Sequence, residues 1–219
     1  MQFEELEASY GSKKVFSKIT GEIVRHNVTT ILGPNGSGKT TLMLMLAHLM
    51  KPTTGKIKLE NDSLFYLPQR SEVYDYMTVK QLLEITHLEK AESDIKQHNQ
   101  IIAKLGLTKL LNNDINSLSG GQQQRVWLAY AFLQPARILL LDEPLTYLDV
   151  KYQQVFYRML VQEKSRGRTF LISLHDIEFA RRCSEYVWFL TPEKLVTGKT
   201  DKILILENIL HYLEIDSIN

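Results

Sequence analysis

Val28-Thr29-Thr30-Ile31-Leu32-Gly33-Pro34-Asn35-Gly36-Ser37-Gly38-Lys39-Thr40 reads as a short β-branched strand running into a glycine-rich turn, and Thr41 to Met50 continues it as an apolar helical run. Gly33 to Thr40 fits GxxxxGK[ST], the phosphate-binding loop pattern. The chemistry explains the spacing. Glycines let backbone N–H groups converge on phosphate oxygens, and the N-terminus of the next helix adds partial positive charge. Lys39 is placed to reach the β and γ phosphates and Thr40 to ligate Mg²⁺, whereas a purely structural turn would need neither. Gly33, Pro34, Asn35, Gly36, Ser37, Gly38, Lys39, Thr40 and Thr41 are the candidate nucleotide-binding residues of this stretch.

Outward from the loop, the pattern predicts strands over Met1 to Tyr10, Lys14 to Ile23 with a break at Thr20-Gly21, Lys56 to Glu60 and Leu64 to Leu67. From Thr78 the spacing becomes helical, with Leu82, Ile85 and Leu88 in one segment and Ile101, Ile102, Leu105 and Leu107 in the next. The last third alternates again: strand Ile138 to Leu141, helix Lys151 to Lys164, strand Thr169 to Leu174, helix Asp176 to Ser184, strand Tyr186 to Leu190. Strand, helix, strand, helix implies parallel crossovers and an α/β core. The expected fold is α/β: a phosphate-loop core with a mainly parallel sheet, an N-terminal antiparallel β lobe and an inserted helical subdomain. The chain reads as a single domain over 1–219, with core and β lobe at about 1–69 and 131–219 and the helical subdomain at about 70–130. Lys202 to Ile215 has helical apolar spacing and is expected to dock on the core.

The chain has 219 residues, 44% hydrophobic and 23% charged, the balance of a globular domain able to bury a full core. Its 26 Lys and Arg against 25 Asp and Glu leave a formal charge of +1, so no global field selects nucleic acid or an anionic membrane. Cys183 is the single cysteine, which excludes an intrachain disulfide framework and suits a reducing cytosol. Thr41 to Met50 is too short to span a bilayer and contains His48. The opening MQFEELEASYGSKK carries acidic residues where a signal peptide needs basic ones.

Ile138-Leu139-Leu140-Leu141-Asp142-Glu143-Pro144 reads as a buried parallel strand closed by two carboxylates. Ligands of open α/β sheets sit beyond the carboxyl ends of the strands, so Asp142 can hold the Mg²⁺ shared with the phosphates while Glu143 faces an attacking water. Alone, such a run is often an ordinary strand exit; beside a phosphate loop the chemical reading prevails.

Leu118-Ser119-Gly120-Gly121-Gln122-Gln123-Gln124-Arg125 decides among phosphate-loop classes, because it resembles the signature of the ATP-binding cassette (ABC) family. Its physical reading agrees: Ser119 is an N-cap, Gly120 and Gly121 let backbone approach an anion, and Gln122 opens a helix, making a second phosphate site. The resemblance spans Tyr10 to about Leu190 and implies that this second site closes on the ATP of another copy, in an antiparallel sandwich. It further implies that Gln69 contacts Mg²⁺ and water, that His175 contacts the γ phosphate, that Asp149 lies in the loop crossing to the partner, and that Tyr10 stacks on adenine. Their plainer readings are a loop histidine, a helix N-cap at Asp149 and a core tyrosine. Leu145 departs from the family, which usually has threonine or a small residue after Glu-Pro.

By the same resemblance the chain is expected to be a transport-coupled ATP hydrolase using ATP and Mg²⁺. The implied catalytic groups are Glu143, His175, Gln69 and Lys39, and the implied metal ligands Thr40, Gln69 and Asp142. The implied partners are a second ATP-binding subunit, identical or not, and transmembrane permease subunits at the cytoplasmic face of the membrane, with no nucleic acid and no direct contact with cargo. Tyr74, Tyr76 and Met77 are the expected permease contact, or else helical-subdomain core. Leu145 to Gln153 with Leu174-His175-Asp176 leans towards importers of metal chelates. A chromosome-type clamp would need a long coiled-coil insertion that the stretch between Thr40 and Leu118 lacks. A soluble cassette in cytosolic assembly or translation is the alternative, and a small-molecule phosphotransferase leaves the signature unexplained.

Overall fold

The structure is a computed structural model that describes residues 1–59, 62–69, 76–87 and 92–205. Strands β1 (Gln2–Tyr10), β2 (Lys13–Glu22) and β3 (Val28–Leu32) lead to helix α1 (Lys39–Leu46), followed by β4 (Thr54–Lys58) and β5 (Leu64–Leu67). Helices α2 (Val79–Glu84), α3 (Glu92–Lys104) and α4 (Gly120–Leu133) come next. The chain then alternates through β6 (Ile138–Leu141), α5 (Val150–Ser165), β7 (Thr169–Ser173), α6 (Ile177–Cys183), β8 (Tyr186–Leu190), β9 (Leu195–Lys199) and α7 (Thr200–Ile203).

The strands form two sheets. One has the order β2-β1-β4 and is antiparallel; the other has the order β5-β6-β7-β3-β8-β9. In the second, β5, β6, β7, β3 and β8 are mutually parallel and only β9 is antiparallel. Parallel strands buried on both faces read as continuous apolar runs, and β6 shows why: Leu139 and Leu141 join one apolar cluster with α4 and α5, whereas Ile138 and Leu140 join another with α1 and the β lobe. Because the strands run the same way, the turns after β3, β5, β6 and β7 emerge at one edge. The phosphate loop, Gln69, Asp142, Glu143 and His175 all lie in or next to those turns.

Three expectations shift. β2 runs unbroken through Thr20-Gly21, because Gly21 pairs with Phe3 and a Cβ there would stand 2.6 Å from the Phe3 ring. The glycine admits an aromatic ring and makes no turn. The strand read at Lys56 to Glu60 begins earlier, at Thr54, where Gly55 (φ +95°) lies against the Glu4 and Glu5 carbonyls; Glu60 is outside the described residues. β9 was not anticipated from LVTGK, being a short edge strand held by pairing Leu195–Lys199 against β8. Of the C-terminal apolar segment only Thr200–Ile203 is a described helix, and residues 206–219, like Leu88 and Tyr74, lie outside the described residues. Among the described residues no helix is long and apolar enough to cross a membrane.

Trp188 joins the two sheets. It is 1% exposed, and its ring meets Phe3 of the β lobe edge-on, with centroids 5.5 Å apart at 70°. Trp188→Ala is expected to cost about 3–5 kcal/mol, read as a lowered urea midpoint with an unchanged slope.

Candidate active site

The turn after β3 begins where a side chain has no room: a Cβ on Gly33 would sit 2.2 Å from the Leu190 carbonyl oxygen. Gly38, at φ +97°, is the N-cap of α1. The Lys39 ammonium crosses the loop and donates to the Gly33 and Pro34 carbonyls at 2.8 and 2.9 Å. Burial lowers its pKa from the ordinary lysine value, and the carboxylates of Glu143 and Asp142 oppose that shift. The Ser37 hydroxyl is buried and has no hydrogen-bond partner.

Asp142, at the end of β6, is 1% exposed. Its Oδ2 accepts from Thr40 Oγ1 at 2.7 Å and from Tyr66 Oη at 3.3 Å, and its Oδ1 accepts from Ser173 Oγ. The next residue carries the second carboxylate into a different setting. Glu143 has φ +47°, an αL backbone in a residue with a side chain, which costs about 1–2 kcal/mol. Its Oε2 accepts from Gln69 Nε2 at 2.6 Å and its Oε1 lies 2.7 Å from His175 Nε2. Gln69, Glu143 and His175, far apart in sequence, therefore meet in one hydrogen-bonded row.

A cavity of about 560 Å³ opens beside these groups, lined by Tyr10, Asn35, Lys39, Thr40, Gln69 and Glu143 among others. Tyr10 is 54% exposed, so the reading of a core tyrosine fails; its hydroxyl lies 3.4 Å from Thr41 Oγ1. Lys39, Thr40 and the exposed Tyr10 ring converge on this one cavity, which suits a ligand carrying both phosphate and an aromatic base.

The second predicted phosphate site lies elsewhere. Ser119 caps α4 through a capping box: its Oγ accepts from the Gln122 amide at 3.4 Å, and Gln122 Oε1 accepts from the Ser119 amide at 2.9 Å. Ser119, Gly120, Gly121 and Gln122 do not line the 560 Å³ cavity. A Cβ on Gly121 would stand 2.7 Å from the Tyr147 carbonyl oxygen, and one on Gly120 would stand 3.5 Å from its ring. Close packing against the Tyr147 turn of the same chain thus adds a reason for Gly121 beyond anion approach, whereas a Cβ at Gly120 would make ordinary contact. Asp149 caps α5, its Oδ1 accepting from the Tyr152 amide at 2.9 Å.

Comparison with known proteins gives the family. The profile described as ABC transporter matches residues 16–146. The chain belongs to the ABC transporter family. Over 93% of its length this ABC ATPase is 32% identical to the petrobactin import ATP-binding protein of Bacillus anthracis, covering 82% of that protein. It is 33% identical to the zinc import ATP-binding protein of Rickettsia bellii, covering 93% of this chain and 88% of that one. A solved structure of a metal-chelate type ABC transporter in an inward-facing conformation superimposes with a TM-score of 0.82 at 25% identity, covering 96% of this chain and 87% of that chain. This chain is accordingly an ATP-binding, ATP-hydrolysing subunit of an ABC transporter.

Sequence reading of this ABC ATPase missed Tyr66 and Ser173, the two strand hydroxyls on Asp142. A polar residue closing the apolar run TFLIS was the only available signal for Ser173. Gly38→Ala is expected to destabilise by about 1–3 kcal/mol, because the left-handed backbone is retained only under strain and the new Cβ meets Val15 and Phe16 at 2.6 and 2.8 Å. Thermal unfolding should register that loss. An ATP titration should show affinity reduced at least about tenfold, the equivalent of 1.4 kcal/mol.

Proposed function

We propose that this ABC ATPase is the motor of an importer for a metal ion or metal chelate, hydrolysing Mg-ATP in a head-to-tail pair docked on separate transmembrane subunits. The observation that supports the catalytic part is the meeting of Thr40 with Asp142, 2.7 Å apart, beside Glu143 flanked by Gln69 and His175. The named relatives that import petrobactin and zinc favour the importer and the metal-related cargo. Cargo would be recognised by partners, not by this chain.

The donor set fits Mg²⁺. Thr40 and Asp142 offer a hydroxyl and a carboxylate oxygen, the hard ligands of an ion that takes few protein groups and completes its shell with phosphate and water; Gln69 would join through its amide. Held by these residues, the ion would supply positive charge that offsets the negative charge developing in transfer. Lys39 would exchange the Gly33 and Pro34 carbonyls for phosphate oxygens, with the loop amides of Asn35 to Thr41 closing round them and Tyr10 against the base. Glu143 would take a proton from the attacking water once Gln69 and His175 turn from it towards metal and γ phosphate. Positioning and charge are most of what phosphoryl transfer asks.

The dimer follows from the separation of the two phosphate sites. Ser119 to Gln122 lie off the cavity that holds the phosphate loop, so they would complete a site on a second copy, with Asp149 in the crossing loop. About 70–130 would then move as a helical subdomain relative to the core. Tyr76 is 89% exposed and Met77 is half-buried against the core, which makes Tyr76 the better candidate for the permease contact at the cytoplasmic face of the membrane.

Glu143→Gln is expected to keep ATP binding, to lose turnover by about 10²–10⁴-fold, and to elute as an ATP-dependent dimer in size-exclusion chromatography. A monomer at saturating Mg-ATP would overturn the paired site. Purified from membranes with Mg-ATP, the same variant should bring a polytopic permease with it; recovery of soluble proteins only would overturn the transport role.

A further inference from the structure

We infer that Ser173 is a positioning residue for hydrolysis, tying the metal-binding carboxylate of Asp142 to the backbone that carries Glu143; the inference rests on the Mg-ATP reading of the site. Ser173 is the last residue of β7 and is fully buried. Leu141 and Ile172 are register partners in the parallel pair of β6 and β7, so the next residues, Asp142 and Ser173, lie side by side. A serine hydroxyl has one proton to give and lone pairs to receive. Glu143 N–H donates to Ser173 Oγ at 2.8 Å, and the hydroxyl proton goes to Asp142 Oδ1. Neither direction can be reversed, because an amide cannot accept there and an ionised carboxylate cannot donate.

This one side chain therefore fixes two things. It holds the oxygen of Asp142 opposite the one that faces Thr40, which sets how that carboxylate presents Oδ2 to a metal ion. It also binds the amide at the left-handed turn, φ +47°, that aims Glu143 at Gln69 and His175. Tyr66 contacts Asp142 as well, but it does not reach the Glu143 backbone. Groups that orient a metal ligand, when removed, typically lower metal affinity or activity by about 10–100-fold.

The test is a titration of Mg²⁺ into the protein with a non-hydrolysable ATP analogue, followed by calorimetry and compared with binding of the analogue in EDTA. Ser173→Ala is expected to raise the Mg²⁺ concentration for half-saturation about tenfold and to lower kcat, with affinity in EDTA within about twofold of the wild type. Ser173→Thr, which keeps the hydroxyl, is expected to recover most of both. Half-saturation within about twofold of wild type in Ser173→Ala would overturn the inference. So would an equal loss with and without Mg²⁺, or an equal loss in the alanine and threonine variants, since packing alone would give either. Absence of any Mg²⁺-dependent gain in the wild type would instead overturn the Mg-ATP reading itself.

Discussion

Burying a carboxylate at the end of a strand is costly unless its lone pairs are occupied, and Asp142 meets that demand by drawing hydroxyls from three separate elements. Thr40 comes from the start of α1, Tyr66 from β5 and Ser173 from β7. None of the three is near it in sequence, so the contact exists only when the order β5-β6-β7-β3 and its register are correct. Slipping β6 by one residue would turn Asp142 to the other face and place Leu141 or Glu143 among the hydroxyls. The same register delivers Glu143 between Gln69 and His175. Core packing on both faces of β6, with Leu139 and Leu141 on one side and Ile138 and Leu140 on the other, specifies that register strongly. Fold and site are in this sense one constraint read at two ends of a strand.

What was legible in the sequence was whatever local chemistry fixes. Val28–Leu32, Leu64–Leu67, Ile138–Leu141 and Tyr186–Leu190 end where the reading ended them, because their largely apolar runs stop at Gly33, at Pro68, at Asp142 and at Thr191-Pro192. The Ser119 N-cap was visible for the same reason: the capping box needs only Ser119 and Gln122. Gly21 was misread because a glycine between strand residues signals a turn equally well as a gap for a ring supplied by another strand. β9 was invisible because an edge strand of LVTGK owes its form to the β8 partner and little to propensity. Tyr66 and Ser173 belong to this second kind. Each sits in a strand that reads correctly, yet its role depends on which strand lies alongside, and that is a property of topology.

Glu143 combines a strained backbone with a side chain engaged on both oxygens. The left-handed turn is held from below by Ser173, and the carboxylate is held from above by Gln69 and His175. Strain at one residue persists only where the surroundings over-determine it, and here they do so from β7 and from the turns after β5 and β7. The backbone that aims Glu143 is fixed by Ser173 independently of Gln69 and His175, so its conformation need not be organised when a substrate arrives.

The turn from Glu143 to Asp149 also reaches the other half of the molecule. Gln124 of α4 donates to the Pro144 carbonyl at 2.9 Å, Gly121 packs on the Tyr147 carbonyl, and Arg125 lies 4.1 Å over the Tyr152 ring while donating to the Leu105 carbonyl at 2.7 Å. The helix that carries Ser119 to Gln122 is thereby bonded to the residue directly after Glu143. These contacts are backbone carbonyls and close glycine packing, which tolerate little sliding, so a shift of the Glu143 turn must be carried into the capped end of α4 or break a buried hydrogen bond worth about 1 kcal/mol or more. Tyr147 of the same turn is 69% exposed. A single seven-residue turn, Glu143 to Asp149, thus touches the Gln69–Glu143–His175 row at one end and the capped helix at the other.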